Sequence, residues 1–125
     1  MIFLDTHVVV WLFVPRIDLL TKEVKRLVNA EELSVSPMVL LELDYLRESG
    51  RIASDSDTIC RSLQKSVGLT ICDLPFLPVV QAAVHHTWTR DPFDRIIVGH
   101  AAAQEAPLIT KDRTILAHYP AAVWT

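Results

Sequence analysis

The stretch Met1-Ile2-Phe3-Leu4-Asp5-Thr6-His7 decides the fold class. Its apolar run, Ile2 to Leu4, is typical of a short buried strand, and the polar pair that follows is suited to cap a helix. The next apolar residues, Val8 to Phe13, fit a helix or a strand by periodicity, but the cap before them and the break at Pro15 favour one short helix. A buried strand leading directly into a helix is the repeating step of an α/β domain.

The same step recurs along the chain. Leu33-Ser34-Val35 alternates as a strand does, and Ser36-Pro37 predicts a helix that continues to Ser49-Gly50. Further strands are predicted at Leu69 to Leu74 and Pro107 to Thr110. Further helices are predicted after Thr21, from Asp55 to Ser66, from Pro78, and from the cap Asp91 to about Glu105. The sequence therefore predicts an α/β fold over residues 1–125, with a mainly parallel central sheet of four or five strands flanked by helices.

Composition narrows the class of protein. The chain has 125 residues, of which 50% are hydrophobic, enough for one domain with its own core. Its apolar stretches are too short to cross a bilayer, and Asp5 interrupts the first of them, so we expect a cytoplasmic location and no membrane contact. Cys60 and Cys72 lack the spacing of a zinc site. The formal net charge of -3 means that binding of a polyanion would require cations.

Four acids stand where a site would form in such a fold. Ligands bind beyond the carboxyl ends of parallel strands. Asp5 follows the first predicted strand and Asp112 a late one, while Glu42 lies on the helix after the second strand and Asp94 in the first turn of a late helix. Four carboxylates in one crevice would repel each other unless cations were bound. Oxygen ligands of this kind indicate Mg²⁺ or Mn²⁺.

Each acid also has a purely structural interpretation. Asp5 and Asp112 could simply cap helices, and Asp94 lies where a helix dipole favours a negative charge. Asp91 is expected to be the cap of that helix. Glu42 is the most informative of the four, because it lies between two leucines on a largely apolar helix. Burying a charge there is costly unless a partner compensates it.

Together these segments resemble the PIN-domain nucleases, in particular the VapC-type toxins of toxin–antitoxin pairs. The resemblance covers the whole chain and rests on residues 1–7, Glu42 within Leu40-Leu41-Glu42-Leu43, the segment from Arg90 to Ile97, and Leu108 to Asp112. It implies that Asp5, Glu42, Asp94 and Asp112 bind metal and that Thr6 and Thr110 support them. It also implies an RNA substrate, an antitoxin whose C-terminal segment covers the active site, and homodimers or larger assemblies.

Basic and aromatic residues near the acids are open to two interpretations. Arg90, Arg95, Lys111 and Arg113 could contact RNA phosphates or could form ion pairs with the neighbouring acids. The tryptophans could stack on unpaired bases, but in a small domain they more often belong to the core or to an interface. We assign neither the tryptophans nor the histidines to function from the sequence.

The predicted function is that of a metal-dependent endoribonuclease that cleaves phosphodiester bonds by means of a metal-activated water. One alternative is a non-catalytic PIN-like binding protein, which would be favoured had any of the four acids been lost. Another is a phospho-acceptor receiver domain, but that class would have paired acids after the first strand, whereas Asp5 is followed by Thr6 and His7.

Overall fold

A five-stranded parallel sheet forms the centre of the protein in a computed structural model that describes residues 1–125. The strands are β1 (Ile2–Leu4), β2 (Leu33–Val35), β3 (Thr70–Ile71), β4 (Leu108–Ile109) and β5 (Ala122–Val123). Their order across the sheet is β3-β2-β1-β4-β5. All neighbouring pairs are parallel, so the carboxyl ends of all five strands lie at one edge. The predicted α/β fold with a parallel sheet is confirmed.

Seven α-helices flank the sheet. They are α1 (Thr6–Phe13), α2 (Lys22–Ala30), α3 (Pro37–Glu48), α4 (Ser56–Val67), α5 (Phe76–Ala83), α6 (Pro92–Ala103) and α7 (Arg113–His118). A short 3-10 helix, Ile17–Leu19, follows α1. Six of the α-helices are preceded by a cap residue whose side chain accepts a hydrogen bond from a backbone N–H of the first turn. The six cap residues are Asp5, Thr21, Ser36, Asp55, Asp91 and Asp112. These caps satisfy donors that a helix leaves without partners.

Strand β1 lies in the middle of the core. All three of its side chains are buried, and its neighbours on both sides, β2 and β4, are also buried. Helices α5 and α6 approach closely at Gly99, where an added Cβ would lie 2.9 Å from both the Cβ of Ala83 and the carbonyl oxygen of Val79. Glycine is therefore required for this helix contact. None of the helices has the length and apolar character needed to span a membrane.

The structure differs from the sequence-based prediction in four elements. Helix α5 begins at Phe76 instead of Pro78, because proline is tolerated within the first turn, where N–H groups lack helical partners. The strand predicted over Leu69 to Leu74 is reduced to Thr70–Ile71 at the sheet edge. Helix α7 and strand β5 were not predicted. Strand β5 is only two residues long and depends on pairing with β4, which no local pattern reveals.

Candidate active site

A cavity of about 430 Å³ lies where the segments following β1 and β4 meet helices α3 and α6. It contains all four acids that the sequence singled out. Its lining consists of Asp5, His7, Val8, Trp11, Glu42, Asp91, Asp94, Lys111 and Asp112. Five carboxylates thus share one cavity, although the outermost two in the sequence, Asp5 and Asp112, are 107 positions apart.

Asp5 is held at the end of β1 by two hydrogen bonds. Its Oδ1 accepts the backbone N–H of Thr6 at 2.8 Å, and its Oδ2 accepts the hydroxyl of Thr110 at 2.7 Å. The residue is buried, and burial raises the pKa of its carboxyl group even though both hydrogen bonds act in the opposite direction. The sequence-based interpretation of Asp5 as a helix cap is confirmed, and the same residue faces the cavity.

Glu42 projects from α3 and is partly buried. Its Oε1 accepts a short hydrogen bond from the hydroxyl of Thr6. Burial raises the pKa of Glu42, and the nearby Asp5 carboxylate raises it further. Thr6 and Thr110, the two polar neighbours singled out by the resemblance, therefore hold the side chains of Glu42 and Asp5 respectively.

Asp94 lies in the first turn of α6, and its carboxyl group is partly buried among the other acids of the cavity. Burial, the largest cause, and the negative charges of Asp91, Asp5, Asp112 and Glu42 together raise the pKa of Asp94 to about 7. Asp91 accepts the backbone N–H groups of Phe93 at 2.8 Å and Asp94 at 3.4 Å, so it caps α6 as predicted. The sequence assigned Asp91 to capping alone, but its side chain also lines the cavity.

Asp112 is the most exposed of the four predicted acids and has a clear structural role. Its Oδ1 accepts the backbone N–H of Ile115 at 3.0 Å, which makes it the cap of α7. Its own backbone N–H donates to the hydroxyl of Thr110 at 3.0 Å. Thr110 therefore connects Asp5 to Asp112 across the end of β4 by accepting one hydrogen bond and donating another.

The residues fit a divalent cation in donor type and in accumulated charge. Oxygen atoms of carboxylates are the ligands that Mg²⁺ and Mn²⁺ prefer, and mutual repulsion contributes to the raised pKa of Asp94. No group of three or more His, Cys, Asp or Glu side chains is arranged to hold a metal ion, however. Two of the four predicted acids, Asp5 and Glu42, accept threonine hydrogen bonds instead.

The four basic residues near the acids are placed differently from one another. Lys111 lines the cavity. Arg95 turns away from it and donates to the carbonyl oxygens of Ala83 and Val84 at the end of α5. Arg90 and Arg113 are exposed and do not line the cavity. None of the four forms an ion pair, because the three ion pairs of the structure are Arg16–Asp18, Arg26–Glu23 and Arg61–Asp57.

The sequence reasoning gave no site role to three further cavity residues, His7, Val8 and Trp11. All three lie on α1, which Asp5 caps, and His7 and Trp11 are four positions apart and therefore on the same face of this helix. Their rings are 6.1 Å apart between centroids. Their spacing from Asp5 was the available signal. Because Asp5 caps α1 and lines the cavity, side chains on the adjoining face of α1 lie next to the same cavity.

The fold and the cavity define a class: small α/β domains with a cluster of carboxylates at the carboxyl edge of a parallel sheet. The family model of the PIN domain matches residues 2–121, and the chain belongs to this family.

Individual relatives extend the comparison over nearly the full length. The chain is 28% identical to Ribonuclease VapC22 of Mycobacterium tuberculosis, with 98% of each sequence covered. Its fold is similar to that of VapBC2 from Rickettsia felis, solved with a DNA fragment from their promoter, with a TM-score of 0.68 and 17% identity. A toxin–antitoxin complex from Klebsiella pneumoniae gives a TM-score of 0.66 and 17% identity. Both structural alignments cover 98% of this chain and 96% of the other.

Proposed function

We propose that the protein is a metal-dependent endoribonuclease and the toxin of a type II toxin–antitoxin pair. The observation that carries this proposal is the gathering of Asp5, Glu42, Asp94 and Asp112 in a single cavity. Similarity over nearly the whole chain to a protein named as a ribonuclease supports RNA as the substrate. Membership of the PIN-domain family supports the same assignment.

In this proposal the four acids bind Mg²⁺ or Mn²⁺ and the two threonines position them. Bound there, a divalent cation supplies an activated water and neutralises charge on the phosphodiester. The hydroxyl groups of Thr6 and Thr110 restrict the rotamers of Glu42 and Asp5 respectively, so these two carboxylates are oriented before substrate binds. Burial and the neighbouring carboxylates raise the pKa of Asp94 to about 7, and a cation held by the four acids would favour the ionised form of this carboxyl group.

Protein partners form the second part of the proposal. The two structural relatives are toxin–antitoxin assemblies, and this supports a cognate antitoxin for the present chain. Association into homodimers or larger toxin–antitoxin assemblies, which the family resemblance implies, belongs to the same proposal. The cytoplasmic location expected from the sequence stays a prediction.

The direct test is cleavage of a mixed pool of single-stranded RNA by the purified protein, with the new ends mapped by sequencing. We expect cleavage with Mn²⁺ or Mg²⁺ and none after chelation with EDTA. Glu42→Gln should abolish cleavage, while Glu48→Gln, the same change at an exposed position of α3, should leave it intact.

Two outcomes of this test would contradict the proposal. Full cleavage in EDTA would exclude the metal-dependent mechanism. Absence of cleavage of any RNA by folded wild-type protein in the presence of metal would instead favour a non-catalytic PIN-like binding protein.

A further inference from the structure

Lys111 is the single lysine or arginine among the residues that line the acidic cavity. Its side chain is exposed, and five carboxylates line the same cavity. Nevertheless, none of the three ion pairs of the structure involves Lys111. A lysine among acids that forms no ion pair requires an explanation, because the nearest carboxylate would ordinarily attract the ammonium group.

Two indole rings hold the ammonium group instead. The Nζ atom of Lys111 lies 5.8 Å from the ring centroid of Trp11 and 5.9 Å from that of Trp124. The two rings pack edge to face, with centroids 5.8 Å apart and planes at 60°. A cation within about 6 Å of an indole face is attracted by the quadrupole of the ring. We call these three residues the lysine–indole cluster.

The cluster is assembled by the sheet. Lys111 follows β4, Trp124 follows β5, and Trp11 lies on α1, which follows β1. The carbonyl oxygen of Trp124 accepts the hydroxyl of Thr21, the residue that caps α2. Both indoles are partly buried and pack against the hydrophobic core, so their positions are fixed by the fold.

An indole attracts the ammonium group without neutralising it. A carboxylate partner would cancel the charge of Lys111 and occupy its donors, whereas a π face leaves the full charge and N–H groups available. The cavity otherwise presents only carboxylates and one histidine as ionisable groups, so a phosphodiester approaching it meets repulsion on most sides. A fixed, unpaired ammonium group gives the phosphate one attractive contact that does not depend on bound metal.

We propose that Lys111, positioned by Trp11 and Trp124, binds a phosphate group of the RNA next to the bond that is cleaved. This inference rests on the proposed function and extends it by assigning a substrate-binding contact. Lys111 touches the substrate, whereas the two tryptophans are positioning residues that act through Lys111. Because the ammonium group lies over both rings, the rings hold the cation and do not stack on bases.

The first test measures binding of a fluorescein-labelled single-stranded 12-nucleotide RNA by anisotropy, with Glu42→Gln as background to prevent cleavage. Adding Lys111→Met should weaken binding about tenfold and reduce the slope of log Kd against log salt concentration by about 0.7, the value for one phosphate contact on a single strand. Lys111→Arg should keep the slope. Lys65→Met, which removes the same charge from an exposed position of α4, should leave both affinity and slope unchanged.

The second test asks whether the indoles act through the lysine. Trp124→Leu should weaken binding about threefold when Lys111 is present and not at all in the Lys111→Met background. An equal loss in both backgrounds would mean that the indole touches RNA directly, which overturns the positioning role. If Trp124→Leu does not fold, Trp124→Phe keeps a ring face and should give a smaller loss with the same dependence on Lys111.

The outcomes separate this inference from the proposed function. If wild-type protein cleaves RNA while Lys111→Met leaves the affinity and the salt slope unchanged, the inference is wrong and the proposed function stands. If the folded wild-type protein neither binds nor cleaves RNA, both are wrong.

Discussion

Asp94→Asn should stabilise the metal-free protein at pH 8. Burial and neighbouring carboxylates raise the pKa of Asp94 from its ordinary value of 3.8 to about 7 in the folded protein. The folded state therefore disfavours the ionised form. Stability is lost as the pH rises from about 4 to about 7, and the loss is complete above that range. An asparagine at this position has no charge to ionise and removes the penalty.

The size of the effect follows from the same pKa. A rise from 3.8 to about 7 corresponds to about 4 kcal/mol at pH 8, and solvent screening at this partly exposed site reduces it to about 2 kcal/mol. For a domain of this size we expect the melting temperature to rise by roughly 6 to 10 °C. At pH 4.5, where Asp94 of the folded protein is protonated, the gain should fall to about 0.5 kcal/mol.

The assay is thermal unfolding in EDTA at both pH values, with Asp73→Asn as the control. Asp73 is an exposed aspartate outside the cavity and forms no ion pair, so its replacement should change stability little. A melting temperature of Asp94→Asn no higher than that of wild type at pH 8 would refute the reasoning. A gain of the same size at pH 4.5 would also refute it, since the gain would then not come from ionisation.

Three further predictions concern the cation, one cap and one helix contact. Mn²⁺ at 100 times its Kd should raise the free energy of unfolding of wild type, measured in urea, by about 2.7 kcal/mol and that of Glu42→Gln by less. Equal effects on both proteins would mean that the ion binds outside the acidic cavity. Asp112→Asn keeps the oxygen that caps α7, so stability should stay within about 0.5 kcal/mol while RNA cleavage slows at least about tenfold; unchanged cleavage would leave Asp112 as a cap alone. Gly99→Ala should cost about 1 to 3 kcal/mol in urea unfolding, because the new Cβ lies 2.9 Å from the Val79 carbonyl oxygen, and a loss below about 0.5 kcal/mol would show that α5 can shift away.

Local signals explain what the sequence could predict. Helix caps at Asp5, Ser36 and Asp91 were predicted correctly because a cap acts on backbone N–H groups within three residues of itself. The apolar runs before Asp5 and Asp112 indicated buried parallel strands, and parallel strands bring their carboxyl ends to one edge. These two kinds of signal placed Asp5, Asp94 and Asp112 near one crevice, and Glu42 was added because it is a charged residue on a largely apolar helix and because of the resemblance to the PIN-domain nucleases.

Features that depend on distant partners could not be predicted. Strand β5 exists because the N–H of Leu108 donates to the carbonyl of Ala121 and that of Thr110 to Val123, contacts that leave no pattern in residues 121–123. The direction of Arg95 is likewise set by the carbonyls at the end of α5. The sequence neighbourhood of Lys111 gives no indication of its contacts with Trp11 and Trp124.

The hydrogen bond from Thr110 to Asp5 joins residues that are 105 positions apart. It has a consequence for the time at which the acidic cavity can form during translation. Strand β1 is synthesised first, but one of its two neighbours in the sheet is β4. A nascent chain that ends before residue 107 therefore leaves one side of β1 without its partner strand. An unpaired, fully apolar strand is prone to associate with other chains, and contacts of long sequence separation form slowly. Asp5 and Glu42 are synthesised early, whereas β4, Asp94 and Asp112 are synthesised late. The cavity that the four acids share can therefore form only near the end of synthesis.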